Sequence, residues 1–472
     1  VIMGIGLMEN AFDKTYRIEF LEPAKIAEEE PKLLIDAKAN MAKIFLDACD
    51  VIILKNIICN GVKSDIHIDG QHIRKIIPAG SIGEEHAIAS GVEVVDCTGK
   101  TALPGFVNMH THAGMALMRG IGEDIAFSDW IDRIWKVESK IDEEFIYWST
   151  KVACVEMIRT GTTTFNDQYW HSYAAKKAAA EMGIRAAISY VALDHNDKEE
   201  AERQKDQCMR FFESYLGRHD NSLFLMSIHA VYSTSEELML WAKEFAEKNH
   251  LKIHIHVSET QKEIEDCKAQ HGGLSPVEYL DRLGILGPDT IAAHTLWLSE
   301  NDVKILGERK VNCVHNINSN AKLSSGYKFL YNELRDAGAN ICIGTDGCAS
   351  SNNLDMLEAM KTSALFQKAW RNDPKALPTD ELIKLATANG ADALGIPAGR
   401  LEEGKLADIS IVNTENTFFL SPGRFLPNLI YSAHSDCIES LIADGRFVMR
   451  GRKIKDEATI LANAKEQIAK II

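Results

Sequence analysis

Between Pro104 and Pro397, short apolar runs alternate with longer amphipathic stretches, the pattern of β-strands each followed by a helix. Eight such runs stand in order: GFVNMHTH, TTTFNDQ, RAAISYVAL, LFLMSIHAVY, KIHIHVSE, TIAAHTL, VNCVHNI and NICIGTDG. Eight βα units predict a closed (β/α)8 TIM-type barrel, whose chemistry gathers at the C-terminal ends of the strands. On both sides of this region the pattern changes to short β-branched runs bounded by Gly, Asp and Asn. These are DVIILKNIICNG, SDIHIDGQHIRKII and VEVVDCTGK before it, and GRLEEGKLADISIVN and IESLIADGRFVMRGRKI after it. Residues 51–103 and 398–460 are therefore expected to combine into one small β-sandwich, with residues 104–397 forming the barrel. Residues 1–49, which carry Pro23, Pro31 and the run Glu28-Glu29-Glu30, read as a short helical or irregular extension with a solvated acidic face.

Composition agrees with one large domain and a smaller one, since 472 residues at 46% hydrophobic content bury a sizeable core. Subtracting 68 acidic from 52 basic residues gives a net charge of -16, which argues against nucleic acid or an anionic membrane as partner. The ten cysteines are scattered singly with no C-x-x-C pair and read as buried or free thiols in a reducing compartment. No apolar run reaches the roughly 18 residues that span a bilayer, and no signal-peptide pattern opens the chain. A cytoplasmic protein is expected.

Four polar clusters end the apolar runs: His110-Thr-His112, His256-Val-Ser-Glu259, His294 and Asp346. Imidazole and carboxylate are the ligands of water-activating metals. Alternate residues of a strand share a face, so His110 and His112 can meet one ion. In IHIHVSET, His254 and His256 share a face, but His256 is nearer the strand end and is the expected ligand, with His254 a hydrogen-bonded core residue. Glu259 lies just beyond that strand, placed to carry protons to bound substrate. Asp346 would be costly to bury at a strand end unless it met a metal or a partner. His294 would then hydrogen-bond the activated water, and His229 is a candidate substrate contact.

These segments together, PGFVNMHTH, HVSETQKEIEDC, GGLSPVEYLDRLGILGP leading to AAHT, VHNINSNAKLSSG, GTDGCASSNNLDM and GRLEEGKLADISIVN, resemble the amidohydrolase superfamily. The resemblance spans roughly residues 51 to 455 and points to the branch of 5-methylthioadenosine/S-adenosylhomocysteine deaminases and related chlorohydrolase-like enzymes. It implies metal binding by His110, His112, His256 and Asp346, with one divalent ion per chain, zinc or alternatively Fe(2+). It implies that Glu259 protonates the purine ring nitrogen while His294 sits near the water. It implies Trp130 as a wall for base or sulfur, Glu138 as acceptor for ribose hydroxyls, and His229 and Ser350 completing the pocket. A homo-oligomer is a further expectation of the family. Tyr190 stands where a relative carries an arginine for the substrate carboxylate, with Arg203 the nearby basic residue.

The expected reaction is hydrolytic deamination of an adenosine-type nucleoside. Asp346 with His294 takes the proton of a metal-activated water, the oxygen attacks the amine-bearing ring carbon, Glu259 protonates the ring nitrogen, and ammonia leaves. The H-x-E and P-C-x-x-C pattern of the zinc deaminases with cysteine ligands is absent, which excludes that other fold. His229, where a carbamylated lysine would bridge two metals, favours one ion. The alternatives are deamination or dechlorination of another ring (guanine, a pterin, a triazine) and a non-catalytic barrel scaffold.

Overall fold

A computed structural model describes residues 4–9, 16–21, 51–80, 92–216 and 222–471. All eight expected barrel strands are present: β1 (Phe106–His112), β2 (Thr162–Asp167), β3 (Arg185–Ala192), β4 (Leu223–Ala230), β5 (Ile253–Val257), β6 (Thr290–His294), β7 (Asn312–His315) and β8 (Asn340–Ile343). Each pairs in parallel with the next. The ring closes just past β8, where Asp346 pairs with Thr111 and Gly347 with His112 of β1. A (β/α)8 barrel results, as the alternation of strand and helix patterns required.

Side-chain alternation sorts the strands' residues into two cores. Phe165, Ile188, Met226, Ile255, Ala292 and Ile343 face the helices, whereas Ala187, Leu225, Ile291, Val314 and Cys342 pack together in the interior. Ala391, Ala393 and Leu394 of the helix Ala388–Leu394 belong to the same interior cluster. Two of the ladder's irregularities lie toward the C-terminal ends of the strands, one between Asn108 and Thr111 of β1 and one between Ile228 and Ala230 of β4. Extra residues of this kind re-aim side chains, and here they fall at His110 and His229.

Segments from both ends of the chain join in one eight-stranded sheet. It runs Arg446–Met449, Ile438–Ala443, Ile409–Asn413, Lys100–Pro104, Val51–Cys59, Val62–Asp69, His72–Pro78, with Glu93–Asp96 beside Val51–Cys59. Its strands share one core that includes Leu54, Ile66, Ile73, Ile409 and Ile442. A buried ion pair ties this sheet to the barrel: Arg185, at the start of β3, bonds Asp408 at 2.5 Å and also Asp444. Near the N-terminus, Gly4–Glu9 and Tyr16–Leu21 pair as antiparallel strands, which corrects the helical or irregular reading there. The rest of the expected extension lies outside the described residues.

Removing one partner of a buried ion pair strands the other charge, at a cost of about 3–5 kcal/mol. Arg185→Met is expected to lower unfolding free energy by that order in urea denaturation, leaving Asp408 and Asp444 without a cation.

Candidate metal centre and active site

At the C-terminal end of the barrel the sequence-predicted residues converge. Nε2 of His112 lies 3.1 Å and Nε2 of His110 3.4 Å from Oδ1 of Asp346. Side-chain donor atoms of His110, His112 and His256 lie within 4.8 Å of one another, as do those of His110, His294 and Asp346. The other ring nitrogens are engaged from behind. His112 Nδ1 meets the Gln168 carbonyl at 2.5 Å and His256 Nδ1 the His229 carbonyl at 2.8 Å. A carbonyl can only accept, so each ring carries a proton on Nδ1, which leaves Nε2 as the nitrogen that faces the cluster and is available to a ligand. His110 Nδ1 contacts His254 Nε2 at 2.9 Å, and His254 in turn meets Asn166. His254 is thus the hydrogen-bonded core residue that was expected.

This donor set fits a divalent cation. His110 Nε2 is buried without a hydrogen-bond partner, and three imidazoles with one carboxylate form an N3O set suited to zinc and its neighbours. Burial drives His110 and His256 toward neutrality, lowering His110 to about 4 and His256 well below its ordinary range, whereas at His112 burial is outweighed by the Asp346 carboxylate, which raises the ring to about 9. Burial also opposes ionisation of Asp346, but the His110 and His112 rings beside it outweigh that and hold the carboxyl well below the usual carboxylate range. Metal binding needs neutral imidazoles around an ionised carboxylate, so an incoming cation would displace the second proton of His112.

Beside this cluster sit the two proposed proton carriers. Glu259 Oε2 lies 3.8 Å from His294 Nε2. Burial pushes the Glu259 carboxyl up to about 8, with the nearby Asp346 charge adding to the rise. His294 Nδ1 faces the side-chain amide nitrogen of Asn320 at 3.0 Å, which orients the ring. Ser258 (φ 55°), His294 (φ 73°), Thr295 (φ 44°) and Asp346 (φ 65°) all adopt left-handed backbone. For residues with a Cβ this costs about 1–2 kcal/mol each, strain that the surrounding hydrogen bonds sustain.

A cavity opens from the cluster, bounded by His229, Glu259 and His294 on its polar side and by Trp130, Trp135 and Trp170 among its aromatic walls. Trp130 donates its indole N–H to the Ala349 carbonyl at 3.1 Å, which fixes the helix Phe127–Glu138 over the loop that follows Asp346. Glu138 also lines the cavity and accepts from the Tyr169 hydroxyl at 2.7 Å. His229 lies in the wall with Nδ1 2.7 Å from Ser233 Oγ, and burial lowers its pKa to about 3.

One expectation needs correction, and the place of Tyr190 is now defined. Ser350 does not line the cavity: its hydroxyl is buried and turns back to the Gly347 carbonyl at 3.0 Å. Tyr190 is likewise absent from the wall. It follows the strand's alternation outward, where its hydroxyl meets Gln204 and Gln207, and its neighbour Val191 faces the cavity instead. Arg203 is exposed and paired with Glu200. Conversely, Gln168, Tyr169 and Trp170 were missed, although they directly follow β2 and the strand-end rule that singled out the histidines applies to them equally.

Comparison with known proteins gives a consistent picture. The profile described as "Amidohydrolase family" matches residues 101–448. A protein of Methanoregula boonei named 5'-deoxyadenosine deaminase is 42% identical over 80% of this chain and 86% of its own length. A 5-methylthioadenosine/S-adenosylhomocysteine deaminase of Thermococcus sibiricus is 39% identical over 84% of this chain and 92% of its own. Among solved structures, an adenosine deaminase from Xanthomonas campestris with bound zinc superposes with a TM-score of 0.82 at 28% identity, covering 89% of this chain and 98% of that one.

Replacing Asp346 with Ala removes the one anionic donor of the cluster. The variant is expected to retain less than about a tenth of the bound metal per chain after dialysis, the scale on which single coordination partners act, as read by elemental analysis beside the wild type.

Proposed function

This chain belongs to the amidohydrolase family, and on that premise we propose that it is a zinc-dependent deaminase of adenosine-type nucleosides, converting them to inosine analogues and ammonia. The observation that carries the reading is the convergence of His110, His112, His256 and Asp346 with Glu259 and His294 at the mouth of one aromatic-walled cavity. One zinc ion per chain would be held by His110, His112, His256 and Asp346, and when bound it lowers the pKa of water toward neutrality.

The protein's own groups divide the proton work by environment. Asp346, held ionised, takes a proton from the attacking water, with His294 hydrogen-bonding the oxygen. Glu259, held protonated near neutral pH, donates to the ring nitrogen as the oxygen adds to the amine-bearing carbon. The same pair then delivers a proton to the departing ammonia. Trp130 and its aromatic neighbours supply a flat apolar wall for the base, and Glu138 offers an acceptor for ribose hydroxyls, its carboxylate oriented by Tyr169.

The wall also bears on the 5'-substituent. Among the described residues, no Lys or Arg lines the cavity itself; Arg203 and Arg210 line an adjoining one that shares Tyr169, Trp170 and Val191 with it, so a homocysteine carboxylate would meet a cation only by reaching past that shared wall. We therefore favour 5'-deoxyadenosine and 5'-methylthioadenosine over S-adenosylhomocysteine.

Ammonia release from zinc-loaded protein tests the assignment, using these three nucleosides, adenosine, guanine and a chlorotriazine. kcat/KM for the two apolar-tailed nucleosides is expected to exceed that for S-adenosylhomocysteine by at least about tenfold, the equivalent of 1.4 kcal/mol. Turnover of guanine or the triazine alone would overturn the nucleoside reading. Because Glu259 must be protonated to donate, kcat is expected to fall as pH rises past about 8, and Glu259→Gln is expected to lose about 10²–10⁴-fold in kcat together with that limb of the profile.

A further inference from the structure

We propose that Glu263 is a positioning carboxylate that sets Glu259 and His294 relative to each other. The inference rests on the reading of those two residues as the proton-handling pair.

Glu263 stands at the third position of the helix Gln261–Gln270, and its own N–H is capped by the Thr260 hydroxyl at 3.1 Å. Elsewhere in this chain the third-position carboxylate closes an ordinary capping box. Glu278 returns to the N–H of Ser275, and Asp302 to the N–H of Ser299. Glu263 reaches further back, past Thr260. Its Oε1 accepts from the Ser258 N–H at 2.9 Å and its Oε2 from the Glu259 N–H at 2.7 Å. Glu263 is 6% exposed, so this bidentate grip operates away from competing water.

The gripped segment is the strained one. Ser258 has φ 55°, a conformation the chain would leave if its N–H were released. The same segment is also bonded to the loop that carries His294. The Ser258 carbonyl accepts from the N–H groups of Leu296 at 3.1 Å and Trp297 at 2.9 Å, and the Val257 carbonyl accepts from Thr295 at 2.9 Å. Glu263 therefore holds by their N–H groups the two peptide units, Val257–Ser258 and Ser258–Glu259, whose carbonyls anchor the β6 loop. Both proton-handling side chains, 3.8 Å apart, hang from this one scaffold, and displacing reacting groups by about 1 Å can cost on the order of 10²-fold in rate.

Glu263 makes no contact with the cavity, so its removal should leave substrate and metal binding intact. Glu263→Gln has one acceptor where two are needed and turns an amide N–H toward a backbone N–H. Glu263→Asp keeps the charge but is too short to span both. In both variants kcat is expected to fall about 10–100-fold, with KM and metal content within about twofold of wild type. In a Glu259→Gln background the additional loss from Glu263→Gln is expected to shrink at least about threefold, because groups acting as one unit are not additive.

An equal loss in both backgrounds, or a loss explained by missing metal, would overturn the proposal. So would failure of both Glu263 variants to fold, checked by circular dichroism, which would assign the residue to stability. The comparison is made on whichever heterocycle the wild type turns over, so a wrong substrate assignment shows in the wild type and leaves this test intact.

Discussion

The cost of taking imidazoles and carboxylates out of water governs the architecture of this protein. Five histidines (His110, His112, His254, His256 and His294) and Asp346 gather at one end of the barrel, nearly all of them out of contact with solvent. Their polar atoms must find partners in the protein or in a bound cation. The strand ends and following loops supply those partners: the carbonyls of Gln168 and His229 behind the ligands, Asn320 behind His294, and Asn166 behind His254. The local ladder irregularities in β1 and β4 coincide with His110 and His229, so the regular sheet yields where the site needs side chains re-aimed.

Two carboxylates that line one cavity are driven in opposite directions by their surroundings. Asp346 meets two imidazoles and stays ionised, whereas Glu259, pushed up by burial and by the charge of Asp346, holds its proton. That divergence is what lets a single fold present a base and an acid to one substrate at the same pH. Left-handed backbone at Ser258, His294, Thr295 and Asp346 is a further cost concentrated at the site. Glu263, the Leu296 and Trp297 amides and the closing strand pair at Asp346 are the bonds that sustain it.

The barrel in turn is fastened to the sheet built from the two ends of the chain. Arg185 begins a barrel strand, while Asp408 and Asp444 belong to the C-terminal half of that sheet. A buried guanidinium satisfied by two carboxylates fixes orientation more than it adds stability, and it holds the end of the barrel remote from the chemistry. Rigidity at that end leaves the loops at the other end free to carry the site.

Much of this was legible in the chain itself. Period-two runs alternating with amphipathic stretches specify eight βα units, and that count, the strand-end rule and the chemistry of metal ligands together point to His110, His112, His256, His294 and Asp346, because strand periodicity is a local property of adjacent residues. Residues more than two hundred positions apart become neighbours through barrel closure, which the pattern implies. Which way a given side chain turns at a strand end was decided only by tertiary structure. Val191 rather than Tyr190 faces the cavity, Ser350 folds back on the Gly347 carbonyl, and Glu263 extends its grip two residues beyond an ordinary cap. Those outcomes depend on bulges, left-handed turns and hydrogen bonds between loops distant in sequence, none of which has a period that a linear pattern can carry.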